Sequence, residues 1–160
     1  EVYERLEAET TRIADDRVVL DHLQRERGRI KTATESGATL HIFLKRGKAL
    51  AVGEILRSRC GQLIEVLAAD ESIVRGEAPD WETFAKACYH LGNRHVNIQV
   101  GACWLRMTPD HVLEDMLRGL GLNVRAEITP FVPEPGAYSS GGDHGHHHHC
   151  LGAAASFAAE

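Results

Sequence analysis

The spacing of apolar residues changes at about residue 62, and this change constrains the fold more than any other feature of the sequence. Before it, short runs alternate apolar and polar side chains. In ATLHIFL, Leu40, Ile42 and Leu44 share one face of a predicted strand, a period of two. Turn sequences such as ERG, ESG and KRG separate these runs. Residues 1–60 are therefore expected to form a small all-β domain, an antiparallel sandwich or barrel.

Strand and helix patterns alternate in the rest of the chain. QLIEVLAA predicts a strand, and Asp80 then predicts the N-cap of a helix. That helix is expected to end at Gly92, while Thr108 and Pro109 predict the start of a second helix that ends at Gly121. The buried stripes of the two helices are predicted to be Phe84, Ala87, Cys88 and Leu91, and Leu113, Met116, Leu117 and Leu120.

The segments HVNIQV, CWLRM and LNVRAEI predict the remaining strands. The resulting order, β-α-β-β-α-β, is that of the ferredoxin-like or split βαβ arrangement. The chain is therefore expected to be an α+β protein, with this arrangement in residues 61–131. Prolines and glycines with almost no periodic apolar content follow, so residues 132–160 are expected to form a flexible tail rich in Pro, Gly and His.

Composition excludes several classes of function. The 160 residues carry 18 Lys and Arg against 23 Asp and Glu, a formal net charge of −5, which disfavours a nucleic-acid partner because no basic field is present. No apolar run approaches the roughly 18 residues that a membrane span requires. Since the first residues also lack the apolar stretch of a signal peptide, a cytoplasmic protein with no membrane partner is expected.

The strongest chemical signal is a cluster of metal ligands near the end of the sequence. Five of the ten histidines, followed by a cysteine, lie in HGHHHHC: His144, His146, His147, His148, His149 and Cys150. Imidazole binds nickel, zinc and copper, and a thiolate adds a softer donor. A flexible segment of this kind would release metal readily, which suits storage or transfer better than catalysis. An expression tag and a run without function are the alternative interpretations.

Three further histidines lie in the predicted ferredoxin-like domain. His90 is expected in the last turn of the first helix, and His95 is expected to open the next strand on its polar face. A solvated surface histidine is the ordinary interpretation of either. Alternatively, a two-fold axis could bring His95 of two copies to one metal ion. His111 could be another ligand, or it could hydrogen-bond to Asp115 one turn further along the second helix.

Several motifs resemble those of urease accessory protein E, a family of nickel metallochaperones. They are GNRH followed by a strand that ends in Gln99, then HVLEDMLRGLGL, then FVPEPGAY and a histidine-rich end. RGKAL, with Gly53 and Glu54 after it, is a supporting match in the first half. Some members have additional histidines before the second helix, where this chain has Thr108 and Pro109.

The resemblance implies a β-rich domain that contacts protein partners and a ferredoxin-like domain that binds metal and forms a homodimer. It implies that His95 is the ligand shared across that dimer and that the histidine-rich end supplies further ligands. It also implies that Ni(II) is the cargo and that it reaches the urease apoprotein through an accessory complex that includes a GTPase. Zn(II) or Cu(II) would bind the same ligands in vitro.

Two other functions are compatible with the same residues. A metal-dependent hydrolase could use His90, His95 and His111, although the sequence contains no HExxH spacing. A general zinc or copper storage protein would need the histidine-rich end alone. An RNA-binding module is disfavoured because HVNIQV and CWLRM carry no pair of stacking aromatic side chains. A non-enzymatic metal carrier is therefore the expected function.

Overall fold

The computed structural model describes residues 1–5, 13–44 and 47–135, except for the side chain of Tyr3. Its first half contains β1 (Val2–Arg5), β2 (Asp16–Leu20), α1 (His22–Glu26), β3 (Arg29–Ala33), β4 (Thr39–Phe43), β5 (Ile55–Ser58) and β6 (Leu63–Ala68). Its second half contains β7 (Asp70–Glu77), α2 (Trp81–Gly92), β8 (Gln99–Gly101), β9 (Trp104–Met107), α3 (His111–Gly119) and β10 (Asn123–Pro130).

The first half is built on one six-stranded sheet, in the order β2-β6-β5-β1-β4-β3. The expected β fold is confirmed, and Leu40 and Ile42 are buried as the period of two predicts. The sheet is mixed, however, because β2 pairs with β6 and β1 pairs with β4 in parallel. The one-turn helix α1 was not predicted. A capping box starts it: the Asp21 side chain accepts from the Gln24 backbone N–H, and the Gln24 side chain accepts from the Asp21 backbone N–H.

The strand formed by QLIEVLAA belongs to the first sheet, and the prediction that it opens the ferredoxin-like half was wrong. β6 pairs with both β2 and β5, and its Ile64 and Val66 are buried in the first core. Pattern alone could not reveal this, because a strand looks the same whichever sheet it joins. The topology favours a domain boundary between Ala69 and Asp70 over one at residues 60 and 61.

The second half has the predicted ferredoxin-like order, β7-α2-β8-β9-α3-β10. Its sheet runs β10-β7-β9-β8 with antiparallel neighbours throughout. The predicted stripes pack into a second core with the inner face of this sheet, and its largest fully buried side chains are Leu91, Leu105, Met107 and Leu117. No helix among the described residues is long and apolar enough to cross a bilayer.

Two buried side chains of α1 connect the halves. His22 Nδ1 lies 2.5 Å from Oε2 of Glu71 on β7, and the His22 backbone N–H donates to Oε1 of the same carboxylate at 2.9 Å. Arg25 donates from Nη2 to the carbonyl of Phe131, just after β10. The rings of His22 and Phe131 meet edge to face, with centroids 4.9 Å apart.

Candidate metal site

Helix α2 positions two of the predicted histidines, and its start is as the sequence predicts. Asp80 Oδ1 accepts a hydrogen bond from the Thr83 backbone N–H at 2.7 Å. This bond and the Thr83 hydroxyl hold the pKa of the Asp80 carboxyl below its usual value. Phe84 and Leu91 are buried, while Cys88 is half-buried and its thiol pKa is raised by burial. Beyond the end of this buried stripe, residues 92–95 are exposed.

α2 ends at Gly92, as predicted, but the left-handed residue that caps it is His95 and not Gly92. The His95 backbone N–H donates to the Gly92 carbonyl at 2.9 Å, and the Val96 N–H donates to the Leu91 carbonyl at 3.2 Å. His95 has φ 55°, in the left-handed region. This is the Schellman arrangement, in which one left-handed residue satisfies the last carbonyls of a helix. The imidazole projects from that position and is exposed.

His95 consequently does not lie in a strand, and the prediction that it opens one was wrong. β8 begins only at Gln99. A left-handed residue cannot continue an extended strand, so the alternating pattern of HVNIQV persists without strand pairing at its start. Val96 and Ile98 are half-buried against the second core, which accounts for their spacing.

Helix α3 ends in the same arrangement with a glycine in the left-handed position. The Gly121 N–H donates to the Arg118 carbonyl at 2.9 Å, and the Leu122 N–H donates to the Leu117 carbonyl at 3.0 Å. α3 itself ends at Gly119, two residues earlier than predicted, and Gly121, with φ 96°, is the left-handed residue that closes it. The left-handed region is strained for a residue with a Cβ and unstrained for glycine. The chain thus keeps a histidine where another helix of the same domain uses glycine.

His90 lies in the last turn of α2, as predicted, and is half-buried. Its ring meets the ring of Tyr89 edge to face, with centroids 5.5 Å apart. Arg94 Nη1 donates to the His90 carbonyl at 2.9 Å. Tyr89 is itself 67% exposed, so this pair of rings forms part of the surface at the last turn of α2.

His111 is the first residue of α3 and is exposed. The helix begins later than Thr108 and Pro109 predict, because Asp110 is its N-cap. The Asp110 carboxylate accepts hydrogen bonds from the backbone N–H groups of Val112 at 2.9 Å and Leu113 at 3.0 Å. The alternative hydrogen bond from His111 to Asp115 does not form; Asp115 pairs with Arg118 at 3.0 Å.

The sheet register brings His95 and His111 to the same end of the domain. Gln99 at the start of β8 pairs with Arg106 near the end of β9, so the chain leaving α2 and the chain entering α3 meet there. No group of three or more His, Cys, Asp or Glu side chains that could hold a metal ion occurs among the described residues. The predicted ligands His144, His146, His147, His148, His149 and Cys150 lie outside them.

A β-rich half joined to a ferredoxin-like half with an exposed histidine at a helix end defines a two-domain α+β protein. Family models match both parts: the N-terminal domain of the UreE urease accessory protein over residues 2–69, and its C-terminal domain over residues 71–156. The chain belongs to the UreE family. It is thus a chaperone of urease maturation and not an enzyme, as the sequence predicts.

Curated relatives agree over most of the chain. The urease accessory protein UreE of Marinomonas sp. strain MWYL1 is 52% identical over 149 residues, covering 93% of this chain and 99% of the relative. That of Psychromonas ingrahamii is 46% identical over 148 residues, covering 92% and 96%. That of Alteromonas mediterranea is 47% identical over 134 residues, covering 84% and 85%.

Proposed function

We propose that this chain is a nickel-binding metallochaperone that delivers Ni(II) for assembly of the urease active site. Membership of a urease accessory family supports the destination, and the exposed, backbone-held imidazole of His95 supports the chemistry. In this proposal two chains form a homodimer, and His95 of each contributes one ligand to a shared metal ion. The observation that carries the proposal is the histidine in a left-handed position at the end of α2.

The position of His95 suits a ligand that must be both fixed and accessible. Its main chain is held by two hydrogen bonds at the helix end, while its side chain reaches solvent. A pair of imidazoles supplies two of the roughly four to six donors that nickel takes. The shell is therefore incomplete, so further donors can enter and the ion can leave. Only neutral imidazoles bind metal, so acidification should release nickel from the dimer.

The other histidines complete the shell or add capacity. His90 and His111 lie on the surface near the same end of the domain and are assigned secondary roles. The ligands near the end of the sequence, His144, His146, His147, His148, His149 and Cys150, are assigned to storage and exchange. The cargo then passes to the urease apoprotein in the cytoplasm through a complex that includes a GTPase, and the β-rich half, residues 1–69, contacts these partners.

Nickel titration calorimetry on metal-free protein tests this function. Three proteins are compared with the full chain: His95→Asn, a truncation after Tyr138, and His41→Asn as a matched control in β4. Asparagine tolerates the left-handed region, so His95→Asn removes the ligand and keeps the helix end. We expect a tight site of one ion per dimer to disappear in His95→Asn alone, and weaker sites to disappear in the truncation.

Analytical ultracentrifugation of the same samples measures the association state. A monomer that holds nickel at full strength, or a tight site that survives His95→Asn, would refute the shared site. Equal retention of zinc or copper by the histidine-rich end, without a tight nickel site, would favour the storage function instead.

A further inference from the structure

A cavity of about 540 Å³ lies between the two halves, and Asn97, two residues after His95, is part of its lining. α1 and the segment that leads to β5 form one wall, and the chain that follows β10 forms the other. Much of the lining is apolar and comes from Leu50, Ala51, Val132, Pro133 and Pro135. Cavities of this size and character are typical of sites for small ligands, which range over roughly 300–1,000 Å³.

Arg25 supplies the one buried cation of this lining. It is 5% exposed, and its Nε has no hydrogen-bond partner among the described residues, although Nη2 donates to the Phe131 carbonyl. None of the ion pairs between described residues includes it. Burial lowers the pKa of the guanidinium. The carboxylates of Glu71, Asp21 and Glu26 favour the cation but offset only part of the cost of burying it, so an anion that reached the guanidinium would relieve the remaining penalty.

The neighbouring carboxylates do not meet this need. Glu71 is engaged by His22, as described above. Glu26 and Glu134 also line the cavity, but both are exposed. Lys48, also exposed and in the lining, carries the opposite charge. Exposed charges are screened by water and salt, whereas the buried guanidinium is not. Hydrogen bonding to the guanidinium of Arg25 is therefore expected to decide whether the cavity binds an anionic or a neutral ligand.

We propose that this cavity binds a small carboxylate with a compact apolar body, held by the guanidinium of Arg25, whose buried Nε has no partner among the described residues. The carboxylate provides a charge-assisted hydrogen bond, and the apolar body covers the walls formed by Leu50, Val132 and Pro133. None of the residues that the proposal uses is an assigned metal ligand, although the lining includes Asn97, two residues after His95. The same chemistry could come from a free organic acid or from the C-terminal carboxylate of a polypeptide.

Titration calorimetry or NMR titration of metal-free full-length protein tests the proposal with three probes. 4-Methylpentanoate represents a free acid, N-acetyl-leucine represents a polypeptide C-terminus, and N-acetyl-leucinamide is the neutral control. We expect saturable binding of at least one acid, and binding of the amide weaker by about tenfold or more, as expected for loss of a charge-assisted hydrogen bond. Tighter binding of N-acetyl-leucine assigns the polypeptide source, and equal binding assigns the free acid.

Two variants locate the binding. Arg25→Lys keeps a cation but removes Nε, and Val132→Trp fills the cavity; each should weaken binding by about tenfold or more. Val19→Trp is the matched control, because Val19 is 41% exposed, Val132 is 40% exposed, and only Val132 lines the cavity. Should Arg25→Lys unfold, Val132→Trp decides. Equal affinity for the acid and the amide, no binding by the unmodified chain, or full binding by Val132→Trp would overturn the proposal.

Discussion

Replacing His95 by glycine is expected to make the chain more stable while removing its proposed metal ligand. A left-handed conformation costs a residue with a Cβ roughly 1–2 kcal/mol, and glycine loses about 0.5–1 kcal/mol more conformational entropy on folding. The difference leaves a net gain of about 0.5–1 kcal/mol. For a chain of this size that corresponds to a rise in Tm of roughly 1–4 °C.

Thermal and urea unfolding followed by circular dichroism measure this gain. Gly121→Ala is the matched control, because Gly121 holds the equivalent position in α3 and an added Cβ there would meet no atom within 4 Å. Its cost is therefore that of the backbone alone, and by the same difference it should destabilise by about 0.5–1 kcal/mol. If His95→Gly lowers stability, the imidazole makes a stabilising contact and the strain argument is wrong. If stability rises but nickel affinity is unchanged, the ligand assignment fails.

Three further predictions concern other parts of the chain. The hydrogen bond from the Ser36 hydroxyl is the main cause that lowers the pKa of Asp16 from 3.8 to about 2, so Ser36→Ala should raise that pKa in an NMR titration. A lowered carboxyl pKa stabilises the folded state at pH values above the pKa of the unfolded chain. The stability lost in the variant should therefore disappear as the pH falls toward 2. In Gly101→Ala the new Cβ would lie 2.2 Å from the Trp104 ring, so the ring must move; we expect a loss of about 1–3 kcal/mol in urea unfolding and a changed tryptophan fluorescence. Asp110→Ala removes the α3 N-cap and should cost about 1 kcal/mol in the same assay, whereas an unchanged midpoint would contradict the capping role.

The alternation of apolar residues predicted most of the elements but not how they pair. ATLHIFL and LNVRAEI are strands, and the stripe from Phe84 to Leu91 is buried, because each pattern reports which side of an element avoids water. Pairing partners depend on residues distant in sequence. The parallel pairing of β2 with β6 therefore had no local signal, and β6 was assigned to the wrong half.

Errors at helix ends had a different cause. Gly92 is the last residue of α2, as predicted, but it is not the left-handed cap, and Pro109 lies two residues before the start of α3. Hydrogen bonding decided both details: Asp110 accepts from two backbone N–H groups at the start of α3, and the N–H groups of His95 and Val96 close the end of α2. A better signal was present in the apolar pair Leu91 and Val96, since the Schellman arrangement commonly brings such positions together.

The misplacement of His95 matters for the proposed mechanism. A histidine in a strand would share its face with neighbours two residues away, and its direction would depend on how that face is covered. At a left-handed helix end the main chain alone fixes the direction in which the imidazole leaves the domain. Two copies related by a two-fold axis could then present the same geometry without rearranging any core side chain. The strain at His95 is consistent with this role, because strained backbone persists where the surrounding structure holds it and is common at functional sites.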